Sequence, residues 1–129
     1  MSETNDRAAV ITLGGKEYPM LLTTKATKEI AKRYGGLTDL GDKLMKSEHF
    51  EEALDEVVWL ITLLANQCIL IRNMQNPEEK RELLTAEMVE LLTTPFELAQ
   101  SKDAIMDALE RGTRREVMSE DDGKNAQDG

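Results

Sequence analysis

The stretch from Glu48 to Asn73 limits what this chain can fold into more than any other. Wound as a helix at about 100° per residue, it brings Phe50, Leu54, Val57, Ile61, Leu64, Cys68 and Ile71 into one stripe, the pattern of a face turned toward a core. Trp59, Leu63 and Leu70 form a second stripe on roughly the opposite side. A surface helix carries one apolar stripe, so a helix with two is covered on both sides. The second cover is either the chain's own short helices or another subunit, which makes Trp59, Leu63 and Leu70 the candidate protein-interface residues. The apolar run Val57–Ile71 is broken by Thr62, Asn66 and Gln67 and is shorter than the ~20 residues a membrane-spanning helix needs. Met1 to Ala8 lack the apolar stretch of a signal peptide. The expectation is a cytoplasmic protein with no membrane partner.

Around this helix the punctuation is clear. Ala9–Leu13 and Lys16–Leu22 flank Gly14-Gly15, whose tolerance of positive φ suits a tight hairpin turn. Tyr18, Met20 and Leu22 share a face by the period of two, and Pro19 places its strand at an edge. Thr24 can cap a helix running to Tyr34, stopped by Gly35-Gly36. Thr38 can cap a short helix from Asp39 to Lys46, and Ser47 opens the long one. Asn76-Pro77-Glu78-Glu79 has a cap residue, then proline, then glutamate at the third helical position, and reads as a strong helix start. Thr85 starts a short helix to Leu92. Thr94-Pro95-Phe96-Glu97 opens a last helix, with Leu98, Ile105, Met106 and Leu109 on one face and an end at Gly112. The expected fold is mainly α with an N-terminal β-hairpin, a single domain over residues 9–112. The polar ends, 1–8 and 113–129, have no apolar periodicity and are expected to be disordered.

The side chains do not assemble a catalytic site. His49, the one histidine, stands among Ser47, Glu48 and Glu51 at a helix start, where polar groups are simply solvated. Cys68 lies on the core stripe, where a thiolate is disfavoured and reactivity is low. One cysteine and one histidine make neither a disulfide nor a usual zinc site. Gly14-Gly15 lacks the Lys-Ser/Thr of a phosphate loop. No cofactor, metal or catalytic residue is expected. With 129 residues, 25 acidic against 16 basic side chains and a net charge of −9, the chain is a poor general ligand for nucleic acid. Lys25, Lys28 and Lys32 line one helix face, and Glu48, Glu51, Glu52, Asp55 and Glu56 another. Each reads first as a solvated face, and the two together are what head-to-tail self-association would use, so a homo-oligomer is expected.

Four strings carry a resemblance: Ile11-Thr12-Leu13-Gly14-Gly15-Lys16-Glu17-Tyr18-Pro19, Thr23-Thr24-Lys25-Ala26, Tyr34-Gly35-Gly36-Leu37 and Leu60-Ile61-Thr62-Leu63-Leu64-Ala65-Asn66-Gln67. Together they make the region from about Val10 to Val117 similar to tail assembly chaperones of long-tailed, non-contractile phages and prophages of Gram-positive bacteria. The motifs are structural: a hairpin turn, helix caps and a core helix. The resemblance implies a non-enzymatic protein of the host cytoplasm, absent from the mature virion. It implies binding to the tape-measure protein and help in recruiting tail-tube subunits. It also implies that a frameshifted extension can be attached after Gly112. Two other readings remain open at this point: a structural tail component, such as a tube or connector subunit, and an acidic regulatory adaptor. Tube subunits are usually β-rich, and the acidic residues here alternate with basic ones, as in Glu78-Glu79-Lys80-Arg81-Glu82.

Overall fold

A computed structural model describes residues 8–46 and 50–125. The fold is mostly helical with an N-terminal antiparallel hairpin, as the sequence implies. Strands β1 (Ala8–Leu13) and β2 (Lys16–Leu21) pair with Leu13 opposite Lys16 and Ala8 opposite Leu21. Gly14 and Gly15 take φ of 58° and 82°, the two positive values that a two-residue I′ turn requires. Gly14 is also a packing position, because a Cβ there would sit 2.8 Å from Cδ2 of Leu92. Ala9, Ile11, Leu13, Met20 and the following Leu22 enter the core, with Tyr18 half-buried against it. Counted from the turn-closing Leu13–Lys16 pair, Val10–Pro19 is a non-hydrogen-bonded pair. The donor that Pro19 lacks therefore belongs to the outer edge of β2, which it blunts. Ala8 is buried in β1 rather than part of a disordered end; residues 1–7 lie outside the described residues.

Helix α1 (Thr24–Tyr34) is capped by Thr23 and not by Thr24. Thr23 has extended backbone, its Oγ1 accepts from the Ala26 amide at 3.0 Å, and the same hydroxyl donates to Gln67 Oε1 at 2.6 Å. The second partner decides between the two threonines, since Thr24 is exposed. Gly35 ends the helix at φ 98°, its amide bonded to the Ala31 carbonyl. Helix α2 (Leu37–Lys46) begins two residues ahead of the expected Asp39, with the Leu40 amide already bonded to Gly36.

The long helix α3 (Phe50–Gln75) is the centre of the molecule: β2, α1, α2 and the two later helices all touch it. The expected caps Ser47 and its neighbours Glu48 and His49 lie outside the described residues. Val57, Ile61 and Leu64 are buried as the stripe predicts, and so are Val58, Leu60 and Ala65. The buried arc is wider than one stripe because several elements pack around the helix. Leu54, Cys68 and Ile71 are half-buried, at its margins. By length and composition α3 could cross a membrane, but its buried side chains form the centre of the core, which a core helix of a globular domain does equally well.

The chain departs from expectation after α3. Asn76-Pro77-Glu78-Glu79 yields only one 3₁₀ turn, Pro77–Glu79, and Asn76 makes no side-chain cap. The segment 80–85 then runs without helix or strand to Thr85, which caps helix α4 (Ala86–Leu92) by accepting from the Met88 amide. Helix α5 (Pro95–Asn125) starts as expected at a capping box, with Thr94 Oγ1 accepting from the Glu97 amide and Glu97 Oε1 accepting from the Thr94 amide. It does not end at Gly112. Gly112 lacks positive φ, and a Cβ there would meet Leu22 at 2.8 Å, so this glycine permits close helix–hairpin packing rather than stopping the helix. Helical backbone continues through residues expected to be disordered, as far as Asn125. Residues 126–129 lie outside the described residues.

Candidate protein-interaction site

Trp59 lies in a cluster that the sequence did not announce. Glu56, three residues and so about one helical turn before it, is 8% exposed and not part of a solvated acidic face. The Tyr34 hydroxyl donates to Glu56 Oε1, and Arg33 Nε approaches the same oxygen at 3.5 Å. Arg33 covers the Trp59 ring with Cζ 4.5 Å from its centroid, and Tyr34 meets that ring edge-on at 6.0 Å and 74°. A carboxylate this buried requires such partners. Burial, and then the hydrogen bond to Glu56, push the Tyr34 phenol from 10.0 up to about 12. Its contribution to stability is therefore intact below pH 10 and is lost as pH rises through about 12.

The second stripe is thus covered in part from within the chain. Trp59 and Leu63 are half-buried and pack on the core, and Leu70 is half-buried. The other acidic positions expected on the long helix, Glu51, Glu52 and Asp55, are exposed, as are Lys25, Lys28 and Lys32 on α1.

Two asparagines of α3 hold the segment after it. Asn66 donates through Nδ2 to the Leu84 carbonyl at 2.9 Å and accepts the Leu84 amide at 2.8 Å. Asn73 treats Arg81 the same way, at 3.0 and 2.8 Å. Seven residues apart, the two side chains share a helix face and act as rungs for an extended strap. Within 80–85 only Leu84 is buried. Between the strap, α3 and the start of β2 lies a groove of about 420 Å³. Its floor includes Tyr18, Ile69 and Leu84, with Cys68 at its border, half-buried rather than in the core.

The large exposed apolar side chains concentrate in the strap and the two helices that follow it. Leu83, Met88, Leu91, Leu92 and Phe96 are five of the seven found among the described residues, the others being Val10 and Met74. Leu91 and Phe96, at 76% and 71% exposure, stand on either side of the α4–α5 corner. Scattered exposed apolar residues are ordinary, but five between Leu83 and Phe96 mark this segment as a candidate interaction surface. The signal was present in the sequence as Leu91, Leu92 and Phe96 around a short helix, and it carried no sign of which face would be left uncovered. Among the described residues no cluster of three or more His, Cys, Asp or Glu could hold a metal ion. A scan against protein-family models and searches of curated proteins and of solved structures find no match to this chain.

Proposed function

We propose that this protein is a non-enzymatic tail assembly chaperone that binds an apolar helical segment of a phage tape-measure protein in the host cytoplasm. The observation that carries the geometry of this reading is the concentration of exposed apolar side chains from Leu83 to Phe96. The family reading itself rests on the resemblance of the hairpin, α1 and α3 strings. A helical client would be held by apolar anchors at helical spacing, with large side chains as energetic centres. The acidic balance, −9, supports solubility while apolar helices are held. Exposed Leu91 and Phe96 support this reading as the capture surface better than Trp59, whose ring is in contact with Arg33 and Tyr34.

Co-expression with helical segments of a phage tape-measure protein, followed by pull-down and circular dichroism, tests this. Leu91→Asp with Phe96→Asp is expected to abolish co-purification with helical content unchanged. Trp59→Asp is expected to lower stability. A folded Trp59→Asp chain that alone loses the client would return the capture surface to the second stripe. Wild-type protein that binds no tape-measure segment would overturn the chaperone reading.

A further inference from the structure

We propose that the groove between β2, α3 and the strap receives the α4–α5 corner of a second copy of this chain, in a closed twofold dimer. The groove is rimmed by Lys16, Arg72 and Arg81. Glu17 and Glu82 also border it, which leaves the rim net positive on a chain of net charge −9. Among the described residues Arg72 and Arg81 form no ion pair with their side chains, and Lys16 rests over the Tyr18 ring at 5.5 Å. Two exposed guanidinium groups over an apolar floor suit an apolar segment flanked by carboxylates.

The same chain displays such a segment. Leu91 and Phe96 protrude at the α4–α5 corner, and Glu87 and Glu90 beside them are exposed and form no ion pair among the described residues. Groove and corner are neighbours, because Met88 of α4 lines the groove. A surface that carries both halves of a complementary pair side by side can satisfy both at once about a twofold axis, each corner entering the other copy's groove. The volume of about 420 Å³ falls in the range of ligand clefts and accommodates large side chains. This docking shares the corner with the proposed capture surface but does not depend on that reading.

Sedimentation velocity on the full chain over a concentration series is expected to show a monomer–dimer equilibrium that weakens as ionic strength rises. Arg72→Glu with Arg81→Glu is expected to raise the dimer Kd by at least about tenfold, as is Glu87→Lys with Glu90→Lys in a separate chain. Mixing these two variants is expected to restore a heterodimer, since both of its groove–corner contacts again join opposite charges, while each variant alone stays monomeric. The groove variant leaves Leu91 and Phe96 intact, so its effect is read separately from client capture. A wild-type chain that is monomeric at high micromolar concentration overturns the proposal. So does a dimer unchanged in both charge variants, or a mixture that fails to associate.

Discussion

Asn76-Pro77-Glu78-Glu79 and Thr94-Pro95-Phe96-Glu97 both place a capping side chain before a proline and a glutamate two residues after it. The second opens a helix of 31 residues, and the first closes after a single turn. Local chemistry explains part of the difference. Thr94 and Glu97 exchange both capping bonds, whereas Asn76 turns its amide back toward the Arg72 carbonyl at 3.4 Å. The larger part lies downstream. After Glu97 come Leu98, Ile105, Ala108 and Leu109, all buried on one face. After Glu79 come Lys80, Arg81 and Glu82, which offer nothing to bury. A helix start signal contributes about 1 kcal/mol, and a helix of several turns is kept by the apolar face it packs.

The comparison breaks first at the core. Ile105, fully buried on α5, is expected to cost ~2–5 kcal/mol when cut to alanine, through lost contacts and the cavity left behind. Chemical denaturation reads this directly. A cost below about 1 kcal/mol would mean that packing is not what extends α5 beyond its cap.

The strap replaces packing with hydrogen bonds, and Asn66 is its test. Asn66→Ala leaves the amide and carbonyl of Leu84 without their partner in a part-buried site, an expected loss of about 1–3 kcal/mol. Asn73→Ala, at an exposed rung, is expected to cost less. Limited trypsin digestion should show faster cleavage after Lys80 and Arg81 in both. Equal resistance in the wild type and the two variants would show that the asparagines do not hold the strap.

Gly112 sharpens the same contrast from the other end of α5. Alanine in an ordinary helix interior gains up to about 1 kcal/mol over glycine. Here the added Cβ would meet Leu22 at 2.8 Å, and overpacking typically costs ~1–3 kcal/mol. Gly112→Ala is expected to be destabilising on balance, by about 1 kcal/mol. A gain in the denaturant midpoint would show that the hairpin does not press on the helix at this point.

The parts of the fold that were legible in the sequence are those fixed by neighbours in the chain. The paired glycines dictated the hairpin turn, Thr85 and Thr94 their helices, and the period of α3 the burial of Val57, Ile61 and Leu64. What escaped depends on partners far away in sequence. Glu56 resembles its acidic neighbours until Tyr34, 22 residues back, is placed against it. Gly112 resembles a helix stop until Leu22 is brought beside it. Asn66 and Asn73 offered one faint signal, two amides seven residues apart within an apolar helix, without naming the backbone they would bind. The interaction surface was less legible still. Trp59 stood out as the largest apolar side chain on a second stripe, and the cation and phenol that occupy it come from the end of α1.

The smallest effects test the two caps side by side. Thr94→Ala removes the acceptor for the Glu97 amide and loosens the reciprocal bond, for an expected cost of about 1 kcal/mol. Asn76→Ala removes no cap bond, because none forms, and its one side-chain contact is an exposed bond of 3.4 Å. Its expected cost is within about 0.5 kcal/mol of zero, the scale of a surface change away from any special feature. Both residues precede a proline, so the backbone restriction before proline is common to the two sites and cancels in the comparison. Denaturation midpoints measured in parallel should therefore separate the variants even though the sequence signals match. Equal losses would mean that Asn76 caps its turn after all, and that the downstream residues alone decide the fate of the two starts.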